Sequence, residues 1–398
     1  MSSPHLAFLF TKRVQYPPNA HNMKAYYISK EAIKQDIGIT WISLTEGRRW
    51  SWQDGINIVS FSSRLPGILR SPYGLIRALI FCKSRGVTLV YTDEWLFFRG
   101  RPLFVLFTQL VLRMLRIGFI FDQRDPFVDF QIATGNIQEG TLNYRGLSFV
   151  YKLIYKFANL VILPSEEYKY IRMKEDGEPG HNILGEFRGI DTDSFKLDVD
   201  HIAIRNKLHL DGKFVIGWFG IMHPFRQIRE VLIPLIERVR QGIPNAIVVI
   251  GGNGPLKVEF EDLMRRDPNV PLIDLGFVPY SALPQHLAAC DVLLCPVSTE
   301  FRFTRSSLWL KVIESLAVGR PILVTSTPAC RKKFGDLDGI IWMENNDPDM
   351  FLNALKDVQI NYQKYKEQVE RQTSRLDEYT TLSSIPRILE RVLKATSN

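Results

Sequence analysis

Lys311 and Glu314 stand three residues apart in an otherwise apolar run, SSLWLKVIESLAVGRPILVT, from Ser306 to Thr325. On a helix turning about 100° per residue, Ser307, Lys311, Glu314 and Val318 share one narrow face, and Leu308, Val312, Ile313, Leu316 and Ala317 cover the rest. Such a pair has two uses. It is a surface ion pair at i,i+3, worth a few tenths of a kcal/mol, or a cation and a carboxylate presented to a ligand. Ser306 or Ser307 is placed to cap the helix, Gly319 to end it, and Pro321 to separate it from the strand ILVT. Free N–H groups in the first turn would then favour a phosphate.

Other residues carry chemistry of their own. Arg226 follows the run and turn FVIGWFGIMHPF, where a guanidinium neutralises a phosphate or stays a solvated loop side chain. The glycines of GGNGP, Gly251 to Pro255, let backbone approach a ligand or a neighbouring loop. Without GxGxxG spacing, and after the second strand of its half, this run is not the redox dinucleotide fingerprint. Asp191 and Asp193 form a DxD pair in a connector, where Asp also serves turns, and metal binding is not expected there. Asp122, Arg124 and Asp125 cluster in FIFDQRDPF at the end of a first-half strand, where an internal Arg/Asp ion pair closing a loop is one account of them.

These residues need a frame. A chain of 398 residues exceeds what one core usually supports, so two domains of roughly 200 residues are expected. In the first half HLAFLF, GITWISL, INIVSF, TLVYTD, FIFD and LVILPS read as strands. They alternate with helices from about His21 to Gln35, about Gly67 to Arg85, Pro102 through LFVLFTQLVLRMLR, LSFVYKLIYKFA and EEYKYIRMK. That alternation predicts a parallel sheet covered on both faces. NILGEFRGIDTDSFKL reads as a connector. Six further strands are then expected in FVIGWFG, AIVVIGG, PLIDLGF, VLLCP, PILVTS and GIIWME. Domains 1–189 and 190–379 follow, with a last helix, about 380–398, whose Ile385, Ile388, Leu389, Val392 and Leu393 suit docking back on the first domain. Carboxyl ends of two such sheets would face one cleft.

Cys82, Cys290, Cys295 and Cys330 lack zinc-ligand spacing and read as buried thiols in a reducing compartment. No signal peptide and no apolar run of spanning length is found, so a cytoplasmic protein, or one peripheral to the cytoplasmic face of a membrane, is expected. Residues 1–121 hold 16 Lys and Arg against 6 Asp and Glu, a difference of +10, so the basic excess behind the net charge of +8 belongs to the first third. An anionic membrane surface answers such a patch, above all around LIRALIF with Arg64, Arg70, Arg77, Lys83 and Arg85. LFVLFTQLVLRMLR could add to that contact, although packing on the sheet is the simpler account of its apolar sides. No nucleic-acid partner is expected, because no zinc finger, RNP motif or basic tail accompanies the charge.

Taken in order and at their spacing, FVIGWFGIMHPFRQI, NAIVVIGGNGP, LIDLGFVPYSALPQHLAACDVLLCP and SLWLKVIESLAVGRPILVT resemble the nucleotide-sugar domain of GT-B glycosyltransferases, especially the retaining family 4 enzymes, the glycosyl transferases group 1. NILGEFRGIDTDSF resembles the segment preceding that domain. The resemblance covers about half the chain and implies an α/β GT-B fold: two Rossmann-like, doubly wound parallel-sheet domains facing one cleft, the first for the acceptor and the second for the nucleotide sugar.

The resemblance also implies roles. Glu314 would accept both ribose hydroxyls with its two oxygens. Arg226 would hold the diphosphate and stabilise the negative charge that grows on it as the glycosidic bond breaks, with Lys311 assisting. Ser306, Ser307, Gly252 and Gly254 belong to the nucleotide-sugar site, and Phe277 and Val278 fall where the family's loop backbone meets the base; core packing is the other account of Phe277. Arg124 and Asp125 fall with segments that serve the acceptor or reaction site. The activity implied is transfer from a UDP or GDP sugar to a glycan, lipid-linked or small-molecule acceptor, with retention of configuration and with neither metal nor other cofactor.

Two departures bear on this. Family 4 enzymes commonly carry a second glutamate eight residues before the ribose one, and Ser306 stands there, which puts the donor sugar in question. The usually glycine-rich first loop is YPPNA, followed by His21. A nucleotide-sugar epimerase of similar shape is an alternative, though it needs histidines and carboxylates to move protons and the chain has seven His. A non-catalytic scaffold relative that kept the fold is another, with Ser306 its motive.

Overall fold

The computed structural model describes residues 4–10, 23–44, 50–61, 67–93, 102–123, 125–178 and 180–395. The chain divides into two compact units, Met1–Ile132 with Ile137–Arg188 and Thr381–Asn398, and Ala133–Asn136 with Gly189–Thr380. His21, the YPPNA loop, Arg64 and Arg124 lie outside the described residues, as does the side chain of Arg70.

The first unit is built on β1 (His5–Phe10), β2 (Gly38–Ser43), β3 (Trp50–Gln53), β4 (Ile56–Ser60), β5 (Leu89–Asp93), β6 (Gly118–Asp122), β7 (Leu160–Leu163) and β8 (Ile183–Gly185). They form one sheet in the order β3-β4-β2-β1-β5-β6-β7-β8. Neighbours are parallel except β3 and β4. The expected parallel sheet forms, with one further strand, β3, added antiparallel at its edge: Asp54 (φ 49°) and Gly55 (φ 78°) turn the chain back between β3 and β4, which is what an Asp-Gly hairpin does. β8 arises inside the segment read as a connector.

Strand side chains alternate between two cores, as the period of two requires. Ala7, Leu9, Val90, Phe119 and Phe121 enter one, while Leu6, Phe8, Tyr91 and Ile120 enter the other. Helices α2 (Gly67–Ser84), α3 (Pro102–Met114) and α4 (Leu142–Phe157) cover the first face through Leu75, Leu79, Val105, Leu112 and Ile154. The second face is covered by α1 (Met23–Lys34), and by the last helix, Thr381–Lys394, whose Ile385, Ile388, Leu389 and Val392 pack beside Ala25 and Ile28.

All six strands expected in the second unit form: β9 (Phe214–Ile221), β10 (Ala246–Asn253), β11 (Leu272–Asp274), β12 (Val292–Cys295), β13 (Ile322–Thr325) and β14 (Ile340–Met343). They are parallel, in the order β11-β10-β9-β12-β13-β14. The chain runs outward from β9 in one direction and from β12 in the other, so a topological switch point lies between them. The four cysteines are free and buried. Among the described residues no helix is long and apolar enough to cross a membrane.

Candidate functional site

At the carboxyl ends of β9 and β10 lies a cavity of about 350 Å³. Its walls are Phe219 to Ile221 and Gly251 to Asn253, with Phe277, Val278, Leu283 and Lys311. Two glycines there are obligatory. A Cβ on Gly252 would stand 1.9 Å from the Gly220 carbonyl oxygen, and one on Gly254 would stand 2.6 Å from that of Met222. Both also have positive φ, 152° and 156°, so the last residues of β9 and β10 and those just beyond them meet closely only because no side chain intervenes. Phe277 is 74% exposed, which removes the core-packing account of it and leaves a ring face at the cavity.

The segment with Lys311 and Glu314 differs from its expected shape. A short helix, Arg302–Ser306, ends before α5 (Leu310–Ala317), and Ser307 and Trp309 between them are extended. Ser306 Oγ donates to Arg302 O at 2.7 Å and Ser307 Oγ to Phe303 O at 2.6 Å. The serines thus bond back into the preceding turn and do not cap α5, the usual competition of such hydroxyls for carbonyls four residues earlier. Trp309 is held against Phe225 and Phe303, ring centroids 6.4 and 5.9 Å away. Gly319 takes the left-handed position after the helix (φ 79°), as expected. On α5, Lys311 Nζ donates to Glu314 Oε2 at 2.7 Å. Glu314 is buried and Lys311 reaches the cavity, so this is not a surface ion pair.

Arg226 sits in the 3-10 turn Pro224–Arg226 that follows β9. Its guanidinium lies 4.2 Å from the Trp309 ring centroid and 5.5 Å from that of Phe225, and donates to Cys295 Sγ at 3.9 Å. Aromatic faces hold the planar cation, so it is no solvated loop side chain. Burial pushes the Cys295 thiol up, against the opposing pull of Arg226 and Lys311; the sulfur stays a neutral neighbour of both. His223 is held below its ordinary value by burial and then by the Arg226 charge. The second unit therefore assembles two cations and one carboxylate around Cys295.

The other candidates have surroundings of their own. Asp122 is buried at the end of β6, paired with Lys24 at 2.8 Å and accepting from Tyr91 Oη. That is an internal ion pair, closed by a lysine. Asp125 is exposed. Asp191 accepts from Asp193 N at 3.1 Å and from Ser194 Oγ at 2.7 Å, the bonding of an Asx turn. Trp309 and Lys24 escaped the sequence reading, and Cys295 was read as a buried thiol without its place beside Arg226. Trp309 adjoins the polar stripe, which was a usable signal; Lys24, 98 residues from Asp122, carried none.

Residues 213–360 match the family model of glycosyl transferases group 1. They form a group 1 glycosyltransferase domain. This assignment supports an enzyme role. The whole chain has the GT-B fold, as comparison with solved structures shows. HepE from Anabaena, crystallised with UDP-glucose, aligns with a TM-score of 0.72 at 15% identity, covering 98% of this chain and 99% of that one. Sucrose-phosphate synthase from Thermosynechococcus elongatus gives 0.71 at 13% identity, with 98% of each chain covered. A curated relative, the 2-deoxystreptamine N-acetyl-D-glucosaminyltransferase of Streptomyces fradiae, is 22% identical over 161 residues, 40% of this chain. The match spans 37% of that relative's length. The glycosyltransferase domain thus contains the cavity, Arg226, Lys311 and Glu314 together.

Proposed function

We propose that the protein transfers a sugar from a nucleotide diphosphate sugar, UDP or GDP linked, to an acceptor, by the retaining route of family 4 enzymes. The observation that carries this is the Lys311–Glu314 pair at the cavity, with Arg226 fixed on Trp309 nearby. Glu314 gives one oxygen to Lys311 and keeps further lone pairs for ribose hydroxyls. Phe277 and Val278 offer an apolar surface to the base. Arg226 and Lys311 supply positive charge for the diphosphate, whose charge rises as the glycosidic bond breaks; donors fixed before that moment favour the transition state over the ground state. The solved complex of HepE with UDP-glucose supports a UDP sugar in a fold of this kind.

Ser306 is buried and its hydroxyl is engaged with Arg302 O, so it is a poor substitute for the glutamate that grips the donor sugar in family 4. Sugar selection would therefore rest on other groups. On the acceptor side Arg124 and Asp125 remain the candidates. A glycan, a lipid-linked precursor or a small molecule would serve; the basic excess of residues 1–121 supports a lipid-linked acceptor at the cytoplasmic face of an anionic membrane. Incubation with a panel of nucleotide sugars tests the reading. Nucleoside diphosphate released only with acceptor supports transfer, isomerised sugar supports an epimerase, and neither supports a scaffold.

A further inference from the structure

Helix α3 buries Val105, Thr108, Gln109 and Leu112, yet Leu103, Phe107, Leu110 and Met114 are exposed, Leu103 by 68% and Met114 by 80%. Steps of four, three and four residues put these side chains on one stripe. Packing on the sheet therefore explains only one side of this helix, which corrects the sequence expectation. Beside it, α2 exposes Tyr73, Ile76 and Ile80 at helical spacing. Exposed apolar side chains gathered on two neighbouring helices mark an interaction site.

Charge selects the occupant. Neither helix contains an Asp or Glu. Toward their carboxyl ends Lys83, Arg113 and Arg116 line a cavity of about 670 Å³, and among the described residues no Asp or Glu lines it. Part of this charge answers the helix ends: Lys83 Nζ donates to Leu115 O at 2.9 Å, and each helix end carries about half a negative charge. Three full cations exceed that. An apolar strip with cations toward one end, on two helices without acids, complements an anionic bilayer, which supplies hydrocarbon for the strip and phosphate for the cations.

We propose that the α2–α3 face docks on an anionic phospholipid bilayer, with lipid phosphates entering the cavity of Lys83, Arg113 and Arg116. The proposal rests on the transfer reading only for its use, to bring a lipid-linked acceptor to the enzyme; the docking itself needs no donor. The test is therefore flotation of the full chain, without nucleotide, on phosphatidylcholine vesicles with and without phosphatidylglycerol. Binding is expected with phosphatidylglycerol alone, weakening with salt. Phe107→Asp with Leu110→Asp, both at exposed positions, should lower binding at least ten-fold. Arg113→Gln and Arg116→Gln should each lower it roughly five-fold, the equivalent of about 1 kcal/mol per cation. Circular dichroism checks folding, and Leu103→Ser is a milder variant should the double aspartate fail. The proposal is overturned if the protein stays off anionic vesicles at low salt, if the variants bind like the parent, or if the stripe instead holds a dimer that Phe107→Asp dissociates. Donor affinity, measured by calorimetry without vesicles, reports on the transfer reading separately.

Discussion

Each unit buries a lysine–carboxylate pair, and the pairs differ in what surrounds the lysine. In the first, Lys24 and Asp122 lie 2.8 Å apart with side chains 4% and 2% exposed, and Tyr91 also bonds the carboxylate. In the second, Lys311 and Glu314 lie 2.7 Å apart with side chains 22% and 2% exposed. The acids are equally buried. Removing a carboxylate from water is costly, and each acid is compensated by its lysine and hydrogen bonds. What separates the pairs is the cation: Lys24 is closed in, whereas Lys311 lines a cavity. Access of the positive partner, not burial of the negative one, distinguishes a structural brace from a place where an anion can bind.

The largest effect is expected where the pair is closed. Asp122→Ala leaves Lys24 charged and without its carboxylate in the interior, which typically costs about 3–5 kcal/mol. Urea unfolding should report that loss, while nucleotide affinity in the second unit changes little. Replacing both partners, Lys24→Met with Asp122→Leu, should recover most of the stability, because apolar groups of similar volume need no compensation. A loss below about 1 kcal/mol for the single variant, the range of exposed pairs, would erase the contrast.

A smaller effect is expected at the open pair, and of another kind. Glu314→Gln keeps the volume and lets Lys311 turn to solvent, so stability should hold while nucleotide affinity falls by roughly 1.5–3 kcal/mol, the range for a hydrogen bond to a charged group. Calorimetry with the nucleoside diphosphate checks it. Equal affinities for the two proteins would remove Glu314 from the ribose.

The two pairs were not equally legible. Lys311 and Glu314 are neighbours on one helix, and their spacing places them together before any fold is known. Lys24 meets Asp122 only because α1 packs across the sheet, a contact over 98 residues that no local pattern reports. The same limit explains the break at Ser307. Trp309 is drawn out of the helix by Phe225, which comes from the turn after β9. Six strands of the second unit were readable because both faces are buried and their runs are nearly all apolar. The hairpin of β3 and β4 was written in Asp54-Gly55 and overlooked. The outer stripe of α3 could not be read as exposed, because apolar residues at helical spacing look the same whether they face a core or a bilayer.

Arg226 sharpens the comparison, since a third cation is held by rings and not by a carboxylate. Arg226→Ala should lower turnover at saturating donor by more than ten-fold, because about 1.4 kcal/mol of lost transition-state stabilisation already gives that factor. Arg226→Lys should not restore it, as an ammonium cannot reproduce a planar cation 4.2 Å from the Trp309 centroid. Unchanged turnover in the alanine variant would move the diphosphate role to Lys311.

No effect at all is expected from a chelator, and here the comparison extends to a third acid. Asp191 is buried like Asp122 and Glu314, yet among the described residues it pairs with no lysine: its oxygens accept from Asp193 N and Ser194 Oγ. A carboxylate bridging a diphosphate through a divalent ion needs a free oxygen directed at the metal; this one is spent on closing a turn. The charge of the leaving diphosphate would instead be met by Arg226 and Lys311, which need no exchangeable ion. Transfer assayed with excess chelator should equal transfer assayed with added magnesium or manganese. If chelation abolishes activity and either metal restores it, cation access in this site includes a metal, and Asp193 is the first residue to substitute.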